Sequence, residues 1–146
     1  MNKIYNSKQE VAIQCLLTLN CNNKKSLTLD RLWLETFLTI NAKDFGISEK
    51  NLYGDSIYNN AQLTSRYKSV KESILLLISK ELIIHDRHSE NLAFTITPKG
   101  VTFCAALTSH FSKKYIQAAD KVNTIFKEKT DLELLYYINQ VLLKKE

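Results

Sequence analysis

A chain of 146 residues, 45% apolar and 24% charged, has room for one domain whose core closes without disulfides or metal. With only 3 Gly and 1 Pro, long loops and linkers are scarce, which favours helices joined by short turns. The net charge of +5, from 20 basic and 15 acidic residues, permits an acidic partner such as nucleic acid without requiring one.

Strictly apolar runs reach five residues, as at Ile74–Ile78, against the ~20 needed to span a bilayer. The opening MNKIYNSKQE has no apolar core of the secretory kind. Cys15, Cys21 and Cys104 are odd in number and follow no framework spacing. Free thiols in a cytoplasmic protein are therefore expected.

The first helix is expected from about Lys8 to Asn20. Ser7 and Glu10 are placed to form a capping box, and Val11, Cys15, Leu16 and Leu19 recur at helical spacing. The polar run from Asn20 to Lys25 ends it. A second helix begins at Leu29 with Thr28 as its cap. Leu29, Leu32, Trp33, Thr36, Phe37 and Ile40 make one apolar stripe, and Trp33 reads as a core anchor. Asn41–Gly46 breaks the helix.

The segment Ile47–Thr64 is irregular, with turn signals at Gly54-Asp55 and Asn59-Asn60. Its tyrosines, Tyr53 and Tyr58, have two readings: anchors for a partner or a lid on the core. A third helix fits Ala61 or Ser65 through Lys80. Tyr67, Val70, Ile74, Leu77 and Ile78 face inward, and Leu75 and Leu76 extend the apolar surface around the cylinder.

Leu82–Thr97 is the clearest signal. Leu82-Ile83-Ile84-His85 is apolar and β-branched, His88–Asn91 is a turn cluster, and Leu92, Phe94 and Ile96 alternate on the return. Two strands with a short polar connection make a hairpin. Thr97-Pro98 then opens a fourth helix, Thr as cap and Pro in the first turn, with Gly100 allowing close backbone approach. Val101, Cys104, Ala105 and Leu107 are its apolar positions. A fifth helix covers His110–Lys127, with Phe111, Tyr115, Ala118, Val122, Ile125 and Phe126 inward. A second capping box, Thr130 to Glu133, opens a sixth. Its Leu132, Leu135, Tyr136, Leu142 and Leu143 take one face, and Leu134, Tyr137, Ile138 and Val141 the other.

Three helices, a two-stranded hairpin and a further helix give a mainly α fold: a winged helix-turn-helix with a β wing and additional C-terminal helices. One domain, 1–146, is expected, with a core at about 8–108 and a helical extension at about 110–146. In a DNA-reading member the third helix enters the major groove. Arg66, Lys68, Lys71 and the tip residue Arg87 are the candidate DNA-contact residues. Glu72, Leu75 and Leu76 oppose groove entry, and Asp86 and Glu90 nearly neutralise the tip. Protein contact is favoured over base readout. The candidate partner-contact residues are Tyr53, Tyr58, Leu75, Leu76, Leu134, Tyr137 and Val141.

No phosphate-binding glycine loop, HExxH or CxxC occurs. His85 and His88 fall on a strand and its turn and promise no zinc site. Asp44-Phe45-Gly46 copies a kinase tripeptide without any other kinase element. No catalytic, cofactor or metal residue is assigned, and the chain reads as non-enzymatic.

The layout as a whole carries a resemblance. LTLDRLWLETFLTINAKDFG (27–46) precedes NLYGDSIYNNAQLTSRYKSVKESILLLISKELI (51–83) and the wing. FCAALTSHFSKKYIQAADKVNTIF (103–126) and an acidic-capped final helix follow. From Val11 to Leu143 the chain resembles the small middle component of ABC-three-component systems, the group that includes Lamassu-type antiphage defence. The resemblance implies an adapter between an SMC-like (Rad50-like) ATPase and an effector nuclease, acting against phage or plasmid DNA, with double-stranded DNA as a further, non-specific partner. The alternative is a winged-helix transcriptional regulator.

Overall fold

A computed structural model describes residues 7–22, 25–53 and 59–145. In chain order the elements are α1 (Lys8–Cys21), β1 (Leu27–Thr28), α2 (Leu29–Ile40), a 3-10 turn (Ala42–Phe45), α3 (Asn59–Ser79), β2 (Ile83–His85), β3 (Ala93–Ile96), α4 (Pro98–Ala105), α5 (His110–Phe126) and α6 (Asp131–Lys145). The turn signal Gly54-Asp55 and Tyr58 lie outside the described residues. Among the described residues no helix is long and apolar enough to cross a membrane.

Local chemistry accounts for most helix starts. Ser7 Oγ accepts the Glu10 amide at 3.1 Å. The Glu10 carboxylate instead accepts from the Tyr53 hydroxyl at 3.1 Å. One arm of the expected box therefore ties α1 to a distant segment. Thr28 Oγ1 caps α2 through the Arg31 amide at 2.9 Å. Ser109 caps α5 through the Ser112 amide at 3.1 Å. At α6 the box closes in both directions: the Thr130 amide donates to Glu133 Oε1 at 2.8 Å and the Glu133 amide to Thr130 Oγ1 at 3.1 Å. The expected break at Asn41–Gly46 holds one extra 3-10 turn, closed by Gly46 at φ 70°, a left-handed position that costs glycine nothing.

The hairpin forms as expected, with Ile83 opposite Ile96 and His85 opposite Phe94. The sheet, however, has three strands in the order β1-β3-β2, not two. Leu27 pairs with Phe94 and Thr28 with Ala93. The Leu29 amide donates to the Leu92 carbonyl at 3.1 Å. Leu92, expected on the inner face, precedes β3 and is exposed. At the hairpin base Thr97 Oγ1 donates to the Glu81 and Leu82 carbonyls. Gly100 packs so tightly there that a Cβ would sit 2.3 Å from the Leu82 oxygen.

Two hydrophobic clusters share α2 as a common wall. The first joins α1, α3, the sheet, α4 and part of α5 through Leu16, Val70, Ile83, Phe94, Cys104 and Tyr115. The second joins α2, α5 and α6 through Phe37, Phe45, Val122, Phe126, Leu134 and Ile138. One apolar stripe was expected on α2, yet ten of its twelve residues are buried. Leu29 and Leu32 face the first cluster, and Leu34, Phe37 and Leu38 the second. Trp33 packs against both, and its indole N–H donates to the Leu63 carbonyl at 2.8 Å. Ile78 on α3 and Ile125 on α5, both expected inward, are exposed, as is the apolar Ala105 on α4.

A buried charge network joins α2 to the α5–α6 turn. Arg31 Nε donates to Glu35 Oε2 at 2.6 Å. Its Nη1 reaches the Lys129 carbonyl at 2.5 Å and its Nη2 the Phe126 carbonyl at 2.7 Å. Asp131 Oδ1 lies 3.5 Å from Nη1, and Thr28 Oγ1 donates to Asp131 Oδ2 at 2.5 Å. The guanidinium thus adds a second donor to the Phe126 carbonyl, which already accepts the Lys129 amide at 3.0 Å, and a donor to the Lys129 carbonyl in the turn beyond α5. Asp131 sits at the start of α6, where the helix dipole favours an anion.

Two stability predictions follow from these contacts. Arg31→Met leaves Glu35 buried without its cation and should cost about 3–5 kcal/mol in urea unfolding. Arg31→Met with Glu35→Met should cost less than Arg31→Met alone, and an equal or larger loss would contradict a buried ion pair. Gly100→Ala should lose about 1–3 kcal/mol, because the backbone at Leu82 must move.

Candidate partner-contact surfaces

The structure divides the expected contact residues sharply. Arg66 is 6% exposed, so burial removes it from the DNA-contact set. Its Nε donates to Thr36 Oγ1 at 3.2 Å, and its Nη2 donates to Gln14 Oε1. Gln14 Nε2 in turn donates to the Tyr53 hydroxyl at 2.8 Å. Arg66 and Tyr53, expected to meet different partners, are thus joined through one glutamine. Burial lowers the pKa of Arg66 below its ordinary value and raises that of Tyr53, with Glu10 adding to the rise. The Tyr53 ring is half-buried and stacks on Phe111 at 5.2 Å. It is a lid on the first cluster rather than a free anchor.

Arg66 could have been found from spacing. It stands one turn before Val70 and two before Ile74, both buried, so the inward face of α3 runs 66, 70, 74. Ser73 on the same side is fully buried. Lys68, Lys71, Glu72 and Leu75 are exposed, whereas Leu76 packs half-buried on the first cluster. Arg87 is exposed at the hairpin tip. Asp86 beside it accepts from Ser26 Oγ and from the His88 amide at 3.0 Å. These bonds, Ser26 first, hold its carboxyl below the usual range.

The phase of α6 differs from expectation. Leu134 is fully buried with Ile138 and Leu142, so it cannot anchor a partner. Tyr137 and Val141 are half-buried against the second cluster, Tyr137 lying 5.3 Å from the Phe126 ring. Leu132, Tyr136 and Leu143 are instead 76%, 65% and 68% exposed. A shallow groove of about 740 Å³ runs beside the first two, lined by Leu132, Leu135, Tyr136, Tyr137 and Gln140 among others. Large apolar side chains kept in water along a helix make this face a candidate contact surface.

Among the described residues no group of three His, Cys, Asp or Glu could hold a metal. Burial pushes the Cys15 thiol up to about 12 and Cys104 to about 11. Cys21 also rises to about 12, from burial and then from Asp120. All three thiols stay protonated near neutrality and are poor nucleophiles or ligands there.

A family model, ABC-three component (ABC-3C) system Middle Component 2, matches residues 4–145. No curated protein and no solved structure matches.

The inward and outward faces of α6 should separate cleanly in thermal or urea denaturation. Leu134→Ala should cost about 2–5 kcal/mol through cavity formation. Leu132→Ser should change stability by no more than about 0.5 kcal/mol. Equal losses would contradict this phase of the helix.

Proposed function

The chain belongs to the Middle Component 2 family of ABC-three-component systems, and we propose that it is the non-catalytic adapter of a Lamassu-type defence complex. In this reading it joins an SMC-like (Rad50-like) ATPase to an effector nuclease in the cytoplasm and acts without a cofactor. Membership in a three-component system implies partners from the same system. The observation that carries the adapter reading is the outer face of α6, where Leu132, Tyr136 and Leu143 stand in solvent. Aromatic and leucine side chains on one helix face are what a groove on a partner recognises.

We read the whole chain as one domain, with a winged helix in its first part. The order α1, β1, α2, α3, β2, β3 and the sheet order β1-β3-β2 support this. A transcriptional regulator remains the second reading, favoured by exposed Lys68, Lys71 and Arg87. Exposed Glu72 and Leu75 on the same helix and the burial of Arg66 weigh against it. The same three basic residues would support an auxiliary, non-specific contact to double-stranded DNA.

Co-expression with the other two components tests the adapter reading. The expected result is a stoichiometric complex through affinity purification and gel filtration. Leu132→Arg with Tyr136→Arg should reduce co-purification about tenfold while leaving the melting temperature of the isolated chain unchanged. A chain that elutes alone would rule the adapter out. An assembly indifferent to the double substitution would remove α6 as its contact.

A further inference from the structure

A second groove, about 720 Å³ in volume, lies between residues 48–52 and one face of α5. Its floor includes Leu52, Phe111 and Ala118. Lys114 and Lys121 rise from the helix wall, and Lys50 stands on the opposite wall. All three lysines are exposed. Among the described residues none of them makes an ion pair. Glu49 is the one carboxylate in the lining, and Gln117 adds a neutral polar group between the two helix lysines. Lys114 and Lys121 are seven residues apart, close to two turns, which places them roughly 10.5 Å apart along the axis.

The floor is held in place. The Phe111 ring stacks on Tyr53 with its plane tilted 26° and lies 6.2 Å from the ring of Tyr115. Tyr53 is pinned by Gln14 and Glu10, and Tyr115 shares a hydrogen bond with Thr18 at 2.8 Å. The Phe111 ring is therefore preorganised between Lys50 and the two lysines of α5.

We propose that this groove binds single-stranded nucleic acid, with phosphates on Lys50, Lys114 and Lys121 and a base against Phe111 and Leu52. A single strand uses both features at once, because its bases are free to turn to an apolar floor while its phosphates follow the cationic rims. A duplex keeps its bases stacked inside and leaves the floor unused. An acidic peptide would meet the lysines but offers no ring to the platform. The site is separate from the α3 and hairpin residues considered above and stands independently of the adapter reading.

The test is fluorescence anisotropy of the full chain with a labelled oligothymidine of about 16 nucleotides, its duplex of equal length, and polyglutamate as competitor, across a salt series. The single strand should bind more tightly than the duplex and resist polyglutamate. Lys114→Gln with Lys121→Gln should weaken binding about tenfold. The same pair should reduce the salt slope by about 1.4, two contacts at roughly 0.7 each. Lys80→Gln with Lys99→Gln, exposed lysines outside the groove, should leave both quantities unchanged. Parental affinity in the Lys114/Lys121 variant, an equal loss in the Lys80/Lys99 variant, or preference for duplex or polyglutamate would each overturn the proposal.

Discussion

The guanidinium of Arg31, buried on α2 and bonded to Glu35, is the constraint around which the two hydrophobic clusters are arranged. A cation with so little solvent must have its charge and its donors met nearby. Glu35 supplies the charge, and the carbonyls of Phe126 and Lys129 supply acceptors. Both carbonyls lie where α5 gives way to the turn before α6. The pair therefore fixes the α5–α6 turn against α2, and through it the direction in which α6 leaves. Asn22 adds to the same network, donating to the Thr18 carbonyl at 2.7 Å and approaching Glu35 Oε1 at 3.4 Å. α1, α2, α5 and α6 thus meet at one polar point between apolar surfaces.

That arrangement decides which side of α6 is left in solvent. With Leu134, Ile138 and Leu142 turned to the second cluster, helical geometry turns Leu132, Tyr136 and Leu143 outward. The apolar outer face of α6 and the groove along α5 share no lining residue. One is apolar on α6, and the other is basic and grooved along α5. In the proposed reading the first would hold protein and the second a charged ligand.

The features legible in the sequence are those set by short range. Ser7, Thr28, Thr97 and Thr130 cap as their neighbours require, the hairpin pairs in register, and Gly100 sits where a backbone closes in. What escaped depends on tertiary context. Leu27-Thr28 is too short to show alternation, so the third strand was invisible until Phe94 paired with it. Arg31 and Glu35 stand at i and i+4, a spacing shared by exposed and buried pairs, and nothing local reveals that this one is covered. Nine of the fifteen α6 residues are apolar, so periodicity alone did not fix its phase. Leu134 and Leu132 exchanged roles for that reason. Arg66 was misplaced because its charge outweighed its spacing, although the spacing was correct.

Amide hydrogen exchange of this chain, alone and assembled with the other two components, tests most directly whether the outward face of α6 is where the complex forms. If the Arg31 clamp presents that face for docking, protection should rise mainly across 131–145, with α3 and the hairpin little changed. Protection gained across α3 and the hairpin, with α6 exchanging as in the isolated chain, would contradict it.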